Sequence, residues 1–273
     1  MKKYIFKLVI LVFCFFLFSS EMHATASEVT TGSSPDTKKE IITIVADTWC
    51  PYNCNPKSPH PGFMVDIAKK AFAKHNIEVE YSIVPWTRAI EETRKGMHSA
   101  IVGASDGDAP DFIYPSIHQG FMRNHFYVKK GNTWKYDGIK SLGYIVLGLI
   151  ADYSYNDEID KYISKYKLDP NRIEMMSGDK ALEINLSKIK RGKIGGTIEA
   201  KYVMEYYLSQ NNLSDQYVEA GELPASDRDR LHIAFSPKNK KLSQKYANIL
   251  SEETKKMRES GELQKILDID GLS

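Results

Sequence analysis

The chain has few of the residues that build redox, metal or catalytic sites. It contains 3 cysteines in 273 residues, and the six histidines between positions 60 and 232 show no metal-ligand spacing. The motif His-Glu-x-x-His is absent, and no cysteine is placed to pair with a catalytic histidine. These absences argue against an enzyme, and they give no reason to expect a cofactor or a metal ion.

The chain also lacks an excess of charge of either sign. It has 37 lysines and arginines and 35 aspartates and glutamates. Three of the lysines and one glutamate lie in the first 26 residues, which leaves 34 basic and 34 acidic side chains in the remainder. Nucleic-acid binding depends on a basic surface, and this composition gives no sign of one.

Long apolar runs are missing everywhere except at the N-terminus. Residues 4–18 are almost wholly apolar, follow Lys2 and Lys3, and precede the small-x-small pattern Ala24-Thr-Ala26. This order is typical of a cleaved export signal, and the run is short for a membrane span. We therefore predict a signal peptide over residues 1–26, a disordered polar leader over residues 27–39, and a periplasmic or extracellular protein.

Two cysteines remain after the predicted signal, Cys50 and Cys54. A disulfide is the expected state of such a pair in an exported chain. A metal site with His60 and a redox-active pair are the alternatives. The C-x3-C spacing differs from the C-x2-C of redox motifs, and a zinc site would need a further ligand that the sequence does not identify.

The cysteines lie in an unusual loop over residues 47–63, which follows an apolar strand-like run and precedes an amphipathic helix. Four prolines prevent regular structure in it. Trp49 and Tyr52 stand where a solvated loop normally has polar residues. The loop is predicted to be stiff and to present aromatic faces to a ligand. The alternative is that both rings pack on their own domain.

Apolar runs of strand length alternate with helical patterns along the chain, which predicts an α/β fold with mainly parallel sheets. The pattern pauses at residues 129–140 and again at 221–230. We interpret the pauses as two crossings between lobes. The predicted first lobe covers residues 40–130 and 231–273, and the second covers residues 131–230.

The order of several short motifs resembles a known family. An aromatic-Pro-Tyr loop at 49–52 is followed by Pro-Gly-Phe-Met-Val-Asp-Ile at 61–67 and by Pro-Trp-Thr-Arg-Ala at 85–89. A leucine, glycines and a short strand ending in an acid follow at 186–199. Together they resemble the periplasmic solute-binding proteins of the amino-acid-binding type, the family 3 extracellular binding proteins.

The resemblance implies a two-lobed periplasmic-binding-protein fold, each lobe a mainly parallel sheet flanked by helices, with a ligand cleft between the lobes that closes by a hinge motion. It implies a monomer without catalytic residues. Such a protein captures a small polar solute, an amino acid or a related amine or organic compound, and delivers it to the permease of an ABC importer. The alternative is the same cleft protein reporting to a membrane sensor without transport.

One segment departs from the family pattern. The amino-acid binders carry an arginine just after the third strand, where it pairs with the α-carboxylate of the ligand. Residues 103–112 have no arginine here and three aspartates. Arg88 is one replacement for the missing guanidinium; otherwise the solute lacks a carboxylate or is cationic.

The candidate ligand-binding residues of the first lobe each have a second interpretation. Trp49 and Tyr52 are predicted to stack on the solute or to pack in the core. Trp86 either contacts the ligand at a strand end or packs at the start of its helix. Arg88 either binds an anion or forms a surface pair with Glu91 or Glu92.

Two further candidates are polar. Ser105 is expected to donate a hydrogen bond to a polar group of the solute. Glu199 is expected to accept from an amino or guanidino group, or to interact only with the dipole of the helix that follows. Ser154 and Tyr155 precede another helix, where we favour capping over anion binding.

Overall fold

The computed structural model describes residues 39–269 and 271–272. The predicted export signal and, except for Lys39, the predicted leader lie outside the described residues. Within the described part, no helix combines the length and the apolar character that a membrane span needs.

The described residues form ten strands and seven α-helices. The strands are β1 (Glu40–Ala46), β2 (Ile77–Ile83), β3 (Ala100–Ala104), β4 (Gly120–Phe121), β5 (Asn124–Lys129), β6 (Leu147–Ile150), β7 (Ile173–Met176), β8 (Gly196–Ala200), β9 (Tyr217–Glu222) and β10 (Arg230–Phe235). The helices are α1 (Phe63–Ala73), α2 (Trp86–Arg94), α3 (Asp157–Tyr166), α4 (Ala181–Lys190), α5 (Lys201–Gln210), α6 (Lys240–Glu259) and α7 (Glu262–Ile269).

The first sheet has the strand order β2-β1-β3-β10-β4. Because β1 is apolar on both faces, it can lie inside the sheet with helices on either side. Ile42 and Ile44 pack in a core with Phe72 of α1. Val45 points to the opposite face and packs with Ile90 of α2. Helices α6 and α7 join α1 on the first face. This sheet and its four helices form the first lobe.

The second sheet has the order β7-β6-β8-β5-β9. Helix α3 covers one face, where Ile159 packs with Leu147 and Leu149 of β6. Helices α4 and α5 cover the other face. Asn156 caps α3 by accepting a hydrogen bond from the Ile159 N–H at 2.9 Å, and acidic residues in the first turn suit the helix dipole. This sheet and its three helices form the second lobe.

The structure corrects the predicted strand directions and one lobe boundary. In each sheet two strand pairings are parallel and two are antiparallel, so the sheets are mixed. The aromatic-rich pattern of residues 121–129 predicts one strand, but these residues belong to two strands in different sheets, β4 and β5. The chain therefore first crosses between lobes at residues 122–123, and the polar turn after β5 lies inside the second lobe. The return crossing lies between β9 and β10.

Candidate functional site

The ends of several strands from both sheets meet at one cleft. In the first lobe, Asp47 and Trp49 follow β1 and Trp86 follows β2; in the second, Tyr153 follows β6 and Glu199 lies at the end of β8. Ligand sites of α/β proteins lie at such carboxyl ends of strands. Here they enclose a cavity of about 30 Å³.

The cavity has walls from both lobes. The first lobe contributes Asp47, Trp49, Trp86, Val102, Gly103 and Asp108. The second lobe contributes Tyr153, Ser154, Tyr155 and Glu199, and the segment around the first crossing contributes Met122 and Asn124. A ligand held in this cavity would touch both lobes and both would have to move apart to release it.

The loop that carries Trp49 is fixed at several points. The Cys50–Cys54 disulfide is formed, as predicted. The Trp49 N–H donates to the Asn53 carbonyl at 2.8 Å. Gly62, at φ 105°, lies so close to the loop that a Cβ there would be 2.5 Å from the Tyr52 carbonyl oxygen. This close approach explains the glycine and sets the loop firmly on the start of α1.

Trp49 reaches across the cleft to the second lobe. Its Nε1–H donates to Glu199 Oε1 at 2.9 Å, and the same oxygen accepts from the Ala200 N–H at 2.8 Å. Glu199 is only 2% exposed, and its Oε2 has no hydrogen-bond partner among the described residues. Burial raises the pKa of Glu199 to about 7. The unpaired oxygen makes Glu199 a ready acceptor for an N–H or O–H of a ligand.

Asp47 joins the lobes from the other side. Tyr153 donates its hydroxyl to Asp47 Oδ2 at 2.7 Å. Removal from water raises the pKa of Asp47 to about 6, and the nearby carboxylate of Asp179 acts in the same direction. Trp86 adds a third bridge, since its Nε1–H donates to the Asp152 carbonyl at 3.2 Å.

Asp108 lies in the loop after β3 and is fully hydrogen bonded. Its Oδ2 accepts from the Ser105 N–H at 2.7 Å and from the Ser105 hydroxyl at 2.8 Å. Its Oδ1 accepts from the Ser154 N–H of the second lobe at 3.0 Å. Burial nevertheless raises the pKa of Asp108 to about 7, because desolvation outweighs these bonds.

Three of the six predicted ligand-binding residues line the cavity: Trp49, Trp86 and Glu199. Tyr52 is 1% exposed. Its ring stacks on Trp49 with 4.4 Å between centroids, so it lies behind the cavity wall. Its hydroxyl donates to the Phe121 carbonyl at 3.0 Å.

The other two predicted residues also lie outside the cavity. Ser105 is fully buried and binds Asp108. The Arg88 side chain is 63% exposed, with its Nε 3.9 Å from Glu92 Oε1. It lies in the outer part of the cleft, near Asp47 and Trp86. The surface pair with Glu92 is thus the arrangement that the structure contains.

Sequence reasoning missed several residues of the cavity. Asp47 directly follows the first strand, so its position at a strand end was a usable signal. Asp108 is one of three aspartates in an acidic loop, and the sequence does not distinguish it from the other two. Tyr153 and Asn124 gave no signal, because the contacts that bring them to the cavity join distant parts of the chain.

The charged groups of the cavity are all acidic. None of the described residues that line it is a lysine, an arginine or a histidine. Over the described residues, no group of histidine, cysteine, aspartate or glutamate is arranged to hold a metal ion. With aromatic rings and carboxylates in its walls, the cavity is suited to a small polar ligand that carries positive charge.

Solved structures share this fold at low sequence identity. An ancestral arginine-binding protein bound to arginine is 18% identical, with 85% of this chain and 98% of that chain covered and a TM-score of 0.65. An amino acid ABC transporter substrate-binding protein from Streptococcus pneumoniae, bound to L-arginine, is 17% identical, with 85% and 94% covered and a TM-score of 0.65.

A histidine kinase sensor domain with similarity to periplasmic binding proteins has the same architecture. It is 15% identical, with 84% of this chain and 94% of that chain covered and a TM-score of 0.65. Comparison with curated protein sequences finds no match. The likeness to solved structures confirms the predicted two-lobed fold.

The sequence itself matches a family model over residues 41–269, which is most of the chain. The family is described as bacterial extracellular solute-binding proteins, family 3. The match confirms the resemblance drawn from the short motifs. The chain belongs to the bacterial extracellular solute-binding proteins, family 3.

Proposed function

We propose that the protein captures a small polar solute between its lobes and delivers it to an ABC importer in the membrane. The observation that supports this most is the cavity between the lobes, where Glu199 Oε2 and the Tyr155 hydroxyl are buried and have no partner within the described part of the chain. A buried polar group left unpaired costs roughly 1–3 kcal/mol. A solute that pairs with both oxygens removes that cost and thereby stabilises the closed protein.

Binding requires the lobes to separate. A cavity of about 30 Å³ holds little more than a water or two, and hydrogen bonds from Trp49, Trp86 and Tyr153 close it. The two crossings, at residues 122–123 and 223–229, are the only backbone connections between the lobes in the described chain. They form the hinge about which the lobes open and admit the solute.

The protein acts outside the cytoplasm in this proposal. Residues 1–26 direct export and are removed, and the mature chain works as a monomer in the periplasm or outside the cell. The site performs no catalytic step. It releases the solute unchanged when the lobes open against the permease.

Ligand-induced closure provides the test. Melting temperature and small-angle scattering are measured with amines, amino acids, neutral polar compounds and a fractionated metabolite extract. A true solute raises the melting temperature as RT ln(1 + [L]/Kd) requires and reduces the radius of gyration. Unchanged melting and scattering with every fraction would contradict solute capture.

The likeness to a histidine kinase sensor domain favours a second candidate, in which the loaded protein contacts a membrane sensor. Deleting the gene separates the two. Loss of solute uptake supports delivery to an importer. Unchanged uptake with a lost transcriptional response to the solute supports sensing.

A further inference from the structure

The closed cavity concentrates negative charge from both lobes. Asp47 and Asp108 approach from the first lobe and Glu199 from the second. The Asp47 charge adds to the effect of burial in raising the pKa of Glu199. Carboxylates that face one another in a site shielded from water oppose closure of the lobes. A cation placed among them would remove this repulsion.

Asp108 uses the hydrogen-bond donors that a carboxylate ligand would need. The backbone N–H groups of Ser105 and Ser154 come from opposite lobes and converge on one point of the cavity wall. Both donate to the Asp108 carboxylate, as does the Ser105 hydroxyl. The anion at this point is therefore a side chain of the protein.

A carboxylate on the solute would be poorly accommodated. Apart from the two indoles, the polar side chains of the wall that are not acidic are those of Asn124, Tyr153, Ser154 and Tyr155. The hydroxyls of Tyr153 and Ser154 already donate hydrogen bonds to carboxylates of the protein. None of the four side chains carries a positive charge to balance a carboxylate, and three carboxyl groups lie nearby. Desolvating a further carboxylate here would cost free energy without an ion pair in return.

The other walls suit an organic cation. The Tyr153 ring is nearly perpendicular to Trp49, with centroids 6.4 Å apart at 81°, and to Trp86, at 6.3 Å and 84°. Aromatic faces attract cations, more strongly when water is excluded. The unpartnered Glu199 Oε2 can accept a hydrogen bond from a cationic N–H.

We infer that the solute is a compact organic cation with N–H donors and no carboxylate, an amine or a guanidine, and that Asp108 stands where the carboxylate of an amino acid would bind. This inference rests on the proposed function, because it assumes that the cavity is the solute site.

Pairs of compounds that differ by one carboxylate test the inference directly. Isothermal titration at pH 7.5 compares ethanolamine with L-serine, histamine with L-histidine and agmatine with L-arginine. We expect at least one amine to bind ten times or more tighter than its parent amino acid. Mass spectrometry of the compound captured from a metabolite extract provides the same test for solutes outside the panel.

Asp108→Ala tests the role of the side chain. The substitution frees the donors of Ser105 and Ser154, so the preference for the amine over its parent amino acid should fall at least tenfold. Asp106→Ala is the matched control, since Asp106 is exposed in the same loop and does not line the cavity. Because the preference is a ratio measured in one protein, partial loss of folded protein cancels.

The outcomes separate the inference from the function. A wild-type protein that prefers an amino acid to its amine, or that captures a carboxylate-bearing solute from the extract, overturns the inference and leaves solute capture intact. An unchanged preference in Asp108→Ala overturns the role of Asp108. A protein that takes up nothing from panel or extract overturns both proposals.

Discussion

The loops that follow β1 and β6 occupy equivalent places, because each strand is the middle one of three parallel strands in its sheet. The first loop, residues 47–62, contains four prolines and a disulfide. The second, residues 151–156, contains neither proline nor cysteine. The disulfide and the backbone bonds of Trp49 fix the first loop within its own lobe, and Asp47 and Trp49 reach from it to the second lobe. The second loop forms hydrogen bonds with the opposite lobe through Asp152, Tyr153 and Ser154. The loop of the first lobe thus has its final shape before the lobes close, whereas the loop of the second lobe reaches its final shape on closure.

The two lobes also differ in what they offer a solute. The first lobe presents the indoles of Trp49 and Trp86, whose polar Nε1–H groups are already paired. The second lobe presents the oxygens of Glu199 and Tyr155 that lack partners in the part of the chain that the structure describes. The first lobe therefore provides a surface on which the solute can rest. The second lobe provides the polar groups whose pairing with the solute stabilises the closed form. Substitutions in the second lobe should therefore lower affinity for the solute more than substitutions in the first.

Glu199→Gln should have the largest effect of the single substitutions. The glutamine keeps an acceptor for Trp49 but loses the charge that faces the cationic solute. Removing one member of a buried charged pair costs a few kcal/mol, so we expect affinity for the cation to fall roughly 100-fold. Titration calorimetry measures the change.

Glu183→Gln is the control for this variant. Glu183 lies on α4 of the same lobe, with 54% of its side chain exposed, so its substitution should leave affinity within a factor of two. A Glu199→Gln protein that binds the cation as tightly as wild type would contradict the assignment of recognition to the second lobe.

Acidification should cause the next largest loss of affinity for the solute. Because burial raises the pKa of Asp47 to about 6 and those of Asp108 and Glu199 to about 7, the folded protein binds protons more tightly than the unfolded chain. The melting temperature of the ligand-free protein should therefore rise as the pH falls through 7 towards the unfolded values near 4. Affinity for a cation should fall in the same direction, since a protonated carboxyl no longer attracts it.

Between pH 7.5 and 5.5 we expect a loss of affinity of roughly 20-fold, as a single group with a pKa near 7 would give. Glu199→Gln should make this profile shallower, and Asp47 and Asp108 should account for the dependence that is left. A cation affinity that is constant over this range, or a ligand-free melting temperature that falls with acidification, would contradict the role of these carboxyl groups.

Trp49→Ala tests the surface of the first lobe. Loss of the indole removes an aromatic surface and the hydrogen bond to Glu199, so affinity should fall slightly more than tenfold, by roughly 1.5 kcal/mol. Trp134→Ala is the control, because Trp134 packs on Phe126 inside the second lobe. It should lower the melting temperature and leave affinity unchanged. An unaltered affinity in Trp49→Ala would show that Trp49 packs in the core and does not contribute to solute binding.

The sequence predicts the first loop better than the second. Prolines, cysteines and aromatics mark residues 47–63 locally, so a stiff loop with a disulfide follows from composition and spacing. The sequence also predicts Glu199 as a site residue, because it is an acidic residue at the end of an apolar strand. Residues 151–156 contain no local pattern of this kind. Their positions depend on contacts between distant residues such as Asp108 and Ser154, which are 46 residues apart.

The lobe boundary shows the same limit. Residues 121–129 read as one strand because the aromatic pattern continues across the crossing. The change of sheet depends on pairing of β4 with β10 and of β5 with β8. Both partners lie far along the chain, so local pattern alone places the crossing at the next polar turn instead.

Reduction of the Cys50–Cys54 disulfide should have the smallest effect and bears most directly on the comparison of the loops. Prolines, Gly62 and the backbone bonds of Trp49 would still hold the first loop, so we expect affinity to fall only about threefold, or roughly 0.7 kcal/mol. The melting temperature should change little, because so short a closed loop restricts few residues of the unfolded chain.

The double variant Cys50→Ser, Cys54→Ser is the control, and a reductant should have no effect on it. If the first loop is set before closure, reduction should slow association of the solute, measured by stopped-flow tryptophan fluorescence, and leave the dissociation rate nearly unchanged. A reduced protein that associates at the wild-type rate and dissociates faster would show that the first loop, like the second, takes its final shape only as the lobes close.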